Sequence, residues 1–92
     1  MKQTWPDRLA RQADLPGESL PQIPIVELAG DSRVLIEQHK GLCSYGKNAI
    51  RVRVRFGEIC VSGSNLSLAR MTGEQLVISG RIDAVTICRG NP

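Results

Sequence analysis

The chain has 92 residues, a formal net charge of +3, and one residue each of Trp, Tyr and Phe. This length fits one small domain whose core would rest on Ile, Leu and Val, and so mild a positive charge is weak support for an anionic partner. The apolar runs fall short of the roughly 20 residues that span a bilayer, and the N-terminus lacks the apolar segment of a signal peptide, so the sequence predicts a cytoplasmic protein without a transmembrane segment.

Residues 1–14 are predicted to form a short N-terminal helix, with Trp5, Leu9 and Ala13 on one side. A helix this short is marginal alone, and it needs to dock onto the domain, onto another copy or onto a membrane surface. Residues 15–24 contain three prolines. They are predicted to form an extended linker, because proline fixes φ and removes a backbone donor.

Residues 25–90 are predicted to form a single β domain, because apolar and polar residues alternate along much of this segment. The expected strands, in chain order, lie before Gly30, at 32–39, between Gly41 and Gly46, at 50–56, at 59–63, at 66–68, at 76–80 and at 82–87. A break in the alternation at Asp83 and Ala84 predicts a β-bulge in the last strand.

An internal echo links ICVSGSNLSL, which begins at residue 59, to LVISGRIDAV, which begins at residue 76. Glycine adopts positive φ at little cost, so Gly57, Gly63, Gly73 and Gly80 are predicted to set the turns. Two copies are fewer than a stacked-repeat fold requires. The sequence therefore predicts a small antiparallel β-sheet or sandwich-like meander, with a short β-roll or solenoid as the alternative.

The three cysteines, Cys43, Cys60 and Cys88, are widely separated and include no C-x-x-C pair. They fit neither a zinc site nor a disulfide framework, and we expect buried structural thiols. The single histidine, His39, has no nucleophile or paired carboxylate that the sequence places beside it, so it is interpreted as an exposed residue at a strand end. The sequence thus predicts no catalytic residue, no metal and no cofactor.

Arg51, Arg53 and Arg55 alternate with aliphatic residues and therefore leave one face of a predicted strand. This face has three interpretations: a solvated strand with acidic partners such as Glu58, a protein-contact face, or a nucleic-acid interface. Sheets that bind single-stranded nucleic acid combine basic residues with exposed aromatic rings, and the sequence places none on this face. A nucleic-acid interface is therefore the least favoured of the three interpretations.

A series of short motifs makes the sequence similar to a known family. They are Leu15-Pro16, Pro24-Ile25 leading to Gly30, Ile36-Glu37-x-His39 closed by Gly41, Asn48 before the arginine strand, Gly57-Glu58, the segment from Gly63 to Leu68, and Gly80-Arg81-Ile82. Taken in this order they cover nearly the whole chain, which resembles the YabP/YqfC family of sporulation proteins from endospore-forming bacteria, in particular its YqfC branch.

The resemblance implies a non-enzymatic protein made during endospore formation, associated with the mother cell and with building the spore envelope. It also implies a membrane-associated sporulation protein as partner and a location on the mother-cell side of the forespore membrane. We therefore predict a structural or assembly factor that acts through protein–protein contacts and forms a homo-oligomer. The alternative is a nucleic-acid-binding regulator that uses the face of Arg51, Arg53 and Arg55.

Overall fold

The computed structural model describes residues 23–90, and the regular secondary structure in this part of the chain is entirely β. The strands are β1 (Ile25–Ala29), β2 (Arg33–Glu37), β3 (Gly41–Tyr45), β4 (Ala49–Val54), β5 (Gly57–Met71) and β6 (Gln75–Arg89). All six belong to one open sheet with antiparallel pairing, which confirms the prediction of a mostly β, antiparallel fold. The predicted helix at residues 1–14 and the first part of the linker lie outside the described residues. Within residues 23–90, no helix is long and apolar enough to cross a membrane.

The strand order across the sheet is β1-β2-β6-β5-β4-β3. Strands β3 to β6 follow one another as hairpins, while the β1–β2 hairpin is added on the far side of β6. The segment between β2 and β3 therefore crosses from one part of the sheet to the other. Backbone hydrogen bonds hold this crossing, because the Gln38 N–H donates to the Glu74 carbonyl and the Lys40 N–H donates to the Arg53 carbonyl, each at 2.7 Å.

Strands β5 and β6 are each 15 residues long and run through both halves of the sheet. The first half of β5 pairs with β4 and with the second half of β6, whereas the first half of β6 pairs with β2 and with the second half of β5. The prediction of separate strands on either side of Gly63 and Gly80 is wrong, because each strand keeps a pairing partner across its glycine. Register shifts replace the breaks, and one of them leaves Asp83 as the extra residue of the bulge predicted in β6.

The echo in the sequence corresponds to a repeated arrangement in the sheet. The Gly63 N–H donates to the Asn48 carbonyl at 3.0 Å, and the Gly80 N–H donates to the Ser32 carbonyl at 3.2 Å. Asn48 and Ser32 are the residues just before β4 and β2. A Cβ atom on Gly80 would lie 2.5 Å from the Asn65 carbonyl oxygen, and one on Gly63 would overlap a carbonyl of β6. Each half thus joins a hairpin to a long strand at a glycine that has no room for a side chain.

The other two of the four glycines occupy hairpin ends. Gly57 directly follows the two-residue β4–β5 turn, and Gly73 lies in the β5–β6 turn. A Cβ atom on Gly73 would meet no atom within 4 Å, in contrast to the crowding at Gly80. The role of these glycines in setting the turns stays a prediction.

The core of the described residues is aliphatic and draws on both halves of the sheet. Ten of its buried side chains form one cluster, made of Val34, Ile36, Ile50, Val52, Val54, Ile59, Val61, Leu66, Leu76 and Ile78. Phe56 packs against this cluster while remaining partly exposed. Because each fully buried aliphatic side chain contributes roughly 1.5–3 kcal/mol, this cluster is the main stabilising feature of the sheet. Because Ile50, Val52 and Val54 belong to this cluster, it fixes the orientation of β4 and of its outer face.

Candidate functional site

The outer face of β4 carries two of the arginines singled out in the sequence. Burial alternates along this strand, so Ile50, Val52 and Val54 are buried while Arg51 and Arg53 are exposed. Arg55 continues the series in the β4–β5 turn and is also exposed. The predicted basic face therefore exists, and the core on the opposite side of the same strand determines its direction.

Glu58 is the acidic neighbour of these arginines. It lies on β5 directly opposite Arg53, and the Arg51 Nε donates a hydrogen bond to Glu58 Oε1 at 2.8 Å. This hydrogen bond from the Arg51 guanidinium holds the pKa of Glu58 below its ordinary value, and the same contact raises the pKa of Arg51. Within residues 23–90, Arg53 and Arg55 form no ion pair. Arg51 is thus the arginine of this face that has the acidic partner named for a solvated strand.

A fourth arginine, Arg89, lines the same end of the sheet from β6, on the side of Val54 and Phe56. It lies opposite Gly57 on β5, and its guanidinium carbon is 5.8 Å from the centre of the Phe56 ring, a distance at which a cation and an aromatic face attract. The arginine depression is the open hollow of about 530 Å³ lined by Arg51, Arg53, Val54, Arg55, Phe56, Gly57, Glu58, Cys88, Arg89 and Gly90. Four arginines surround it, and one carboxylate opposes them.

The cysteines lie on or beside this face instead of in the core. Cys60 is opposite Arg51 and Cys88 is opposite Glu58, so both share the outer side of the sheet with the arginines. Cys43 and Cys88 are exposed and Cys60 is half-buried. The expectation of buried thiols is therefore wrong, because the alternation that buries Ile59 and Val61 turns the intervening residue outward. The Cys43 side chain adds to the lowering of the pKa of Glu58.

His39 is buried, contrary to the expectation of an exposed strand-end residue. The crossing between β2 and β3 carries it past the β5–β6 turn, where its Nε2 lies 2.8 Å from the Thr72 carbonyl oxygen. The Gly41 N–H donates to its Nδ1 at 3.1 Å. Since Nδ1 accepts this hydrogen bond, Nε2 is the ring nitrogen that donates to the Thr72 carbonyl. Both ring nitrogens have hydrogen-bond partners, so His39 ties the crossing to the turn.

The described residues offer little to a nucleic-acid base. Tyr45 lies opposite Ile50 and therefore belongs to the face away from the arginines. Phe56 packs against the core and Arg89 covers its ring. No stacking platform therefore accompanies the basic face between residues 23 and 90. No group of three or more His, Cys, Asp or Glu side chains in this range is placed to hold a metal ion.

These features define a small antiparallel β domain whose main polar surface is a cluster of arginines. A model of the YabP family matches residues 23–91, which include the whole sheet, and the chain belongs to the YabP family. The chain is also 27% identical over 77 residues to YqfC of Bacillus subtilis (strain 168), an uncharacterized protein, and the match covers 84% of this chain and 83% of YqfC. No solved structure matches the chain significantly.

Proposed function

We propose that this protein is a non-enzymatic structural or assembly factor of sporulation. Membership in the YabP family supports the sporulation part of the proposal. In this role the protein acts in the mother cell, at the forespore membrane, and contributes to building the spore envelope by binding a membrane-associated sporulation protein. The single observation that carries the contact role is the arginine depression, where four arginines meet one carboxylate.

The chemistry of the depression favours an acidic partner. Arginine binds carboxylates through a planar fork of N–H donors, and arginines are enriched where protein interfaces gain most of their affinity. Glu58 already orients Arg51, so less side-chain entropy is lost when that residue binds. Arg53, Arg55 and Arg89 form no ion pair within residues 23–90 and present their donors to solvent. We assign an acidic segment of the partner protein to this surface.

The internal repeat supports a functional role for these arginines. Val34 of β2 and Ile50 of β4 occupy equivalent positions, because each lies opposite an equivalent buried residue of a long strand. The positions after them, Arg51 in β4 and Leu35 in β2, differ in charge. The fold therefore does not require arginine on this side of the hairpin, and the basic face is confined to one half of the sheet.

Sporulation in the source organism tests this function. In a strain that lacks the native gene, the Arg51→Ser/Arg53→Ser/Arg55→Ser variant is expected to give heat-resistant spore counts near those of the deletion strain. The matched control is Arg33→Ser/Arg70→Ser/Arg81→Ser, which also removes three exposed arginines and one ion pair, that of Arg81 with Asp83. It is expected to sporulate like the wild type. Normal spore counts from the first variant would overturn the assignment of the depression.

A further inference from the structure

The open sheet leaves one long edge unpaired within residues 23–90. The second half of β6 pairs with β5 on one side without a register shift from Ala84 to Arg89, and no described strand pairs with its other side. Strands β1 and β3 also lie at edges, but each has five residues and β3 contains a register shift at Cys43. The free edge of β5 contains a shift at Ala69. Short strands and bulges discourage edge pairing, and the segment of β6 from Ala84 to Arg89 contains no bulge.

The backbone of this edge is ready to accept another strand. The Gly90 N–H donates to the Phe56 carbonyl of the preceding turn at 2.8 Å. In an antiparallel ladder the N–H and C=O groups of successive residues point to alternate sides of the strand. Cys88 and Thr86, two and four residues before Gly90, therefore also point their N–H and C=O groups toward β5. Val85 and Ile87 therefore point their N–H and C=O groups away from β5, toward the open side. An added strand would satisfy these groups with hydrogen bonds.

The side chains of the edge also lack cover. Ile87 lies opposite Ile59, which is 1% exposed, yet Ile87 itself is 62% exposed. Val85 packs against the core and is half-buried. The margin of the core is thus open along β6, and a neighbouring strand that brings apolar residues would close it.

We propose that the β6 edges of two copies of this chain pair antiparallel about a twofold axis at Thr86, which joins the two sheets into one. This register places Val85 of one copy opposite Ile87 of the other, and it brings Asp83 beside Arg89 of the other copy. An interface of this kind is isologous, so every favourable contact occurs twice. The proposal goes beyond the function proposed above and does not depend on it.

The neighbouring registers are less favourable. An axis at Val85 would oppose Arg81 of one copy to Arg89 of the other, which are like charges, and an axis at Ile87 would oppose Val85 to Arg89. The axis at Thr86 also agrees with the backbone directions, because Thr86 becomes a central non-hydrogen-bonded pair flanked by hydrogen-bonded pairs of Val85 with Ile87. In the single chain, Asp83 and Arg81 form an exposed ion pair at 3.4 Å. Exposed ion pairs contribute little stability, so Asp83 can leave Arg81 and pair with Arg89 of the other copy at little cost.

Cysteine cross-linking reports the register. In a Cys43→Ser/Cys60→Ser/Cys88→Ser background, Thr86→Cys is expected to form a symmetric interchain disulfide under mild oxidation, because the Cα atoms of a non-hydrogen-bonded pair lie about 4.5 Å apart. Ala84→Cys in the same background is the matched control and is expected to stay uncrosslinked, since the two introduced thiols would be about 13 Å apart along the strands. Restoring the native Cys88 to that control should produce a cross-link, because residue 84 then faces Cys88 of the other copy.

Light scattering of the wild-type chain supplies the second measurement. The mass expected at high micromolar concentration is twice the chain mass of 10.1 kDa, and Ile87→Lys should return it to one chain. A wild-type mass of one chain would overturn the proposal. A doubled mass with no preference for Thr86→Cys over Ala84→Cys would also overturn it, since the dimer would then use another surface or register.

Discussion

Glu58 is the residue at which the chemistry of the arginine depression is most sharply defined. It accepts a hydrogen bond from Arg51, lies opposite Arg53, and is the carboxylate among the residues that line the depression. Arginines gathered without a counter-charge would repel one another, and Glu58 relieves part of that repulsion while leaving Arg53 and Arg55 open to a partner. It is thus a positioning residue for the surface.

The lowered pKa of Glu58 leads to a pH-dependent prediction. A carboxylate with a folded-state pKa below its unfolded value of about 4.3 stabilises the fold above that pH and loses its contribution as the pH falls through the folded-state pKa. Glu58→Gln should therefore lower the free energy of unfolding at about pH 7, and the difference from the wild type should shrink at about pH 3. Urea unfolding at both pH values measures this. An unchanged difference would show that the charge of Glu58 is not responsible.

At the scale of elements, the glycines inside β5 and β6 lie where the backbone of the neighbouring long strand comes closest. Gly80 has a φ of +135° and lies against the Asn65 carbonyl of β5. The register shifts nearby let each strand serve both halves of the sheet without ending. Replacing Gly80 is therefore expected to lower the free energy of unfolding more than replacing a glycine that lies in open space.

Gly80→Ala is expected to destabilise the fold by about 1–3 kcal/mol from backbone strain, with the steric overlap adding to it. Gly73→Ala is the matched control, because Gly73 has no neighbour within 4 Å for a new Cβ and no positive φ. The midpoint of urea denaturation measures both variants. Equal midpoints for the two would contradict the requirement for glycine at position 80.

The elements also show which features the sequence can predict. The alternation from Ile50 to Val54 correctly predicted which face of β4 is buried, because a two-residue period with one apolar face fits only one orientation of the strand. The continuity of β5 and β6 through Gly63 and Gly80 was not predictable in this way. It depends on pairing with β2 and β4, which are distant in sequence, and a glycine next to a serine looks locally like a strand end.

The candidate site could be predicted in part. Arg51, Arg53 and Arg55 follow from local alternation, whereas Arg89 joins them through the register of β5 with β6. The burial of His39 depends on where the crossing between β2 and β3 passes the β5–β6 turn, which is a tertiary contact. Neither signal is present within a short window of sequence.

At the scale of the whole molecule, the sheet separates its surfaces by type. The core face joins both halves, the arginine depression lies at the end of one half beside the β4–β5 turn, and the free edge of β6 lies beside it. A dimer through β6 would place two depressions in one assembly. Two linked sites bind a partner that displays repeated acidic segments more tightly than one site does, because the second contact becomes intramolecular.

The contact role of the arginine depression is the central claim, and affinity capture from sporulating cells tests it most directly. Immobilised wild-type chain and the Arg33→Ser/Arg70→Ser/Arg81→Ser control are expected to retain the same membrane-associated sporulation protein. The Arg51→Ser/Arg53→Ser/Arg55→Ser variant is expected to bind that protein at least about tenfold more weakly, a loss of about 1.4 kcal/mol. Equal retention by all three chains, with the fold of each verified by circular dichroism, would contradict the claim.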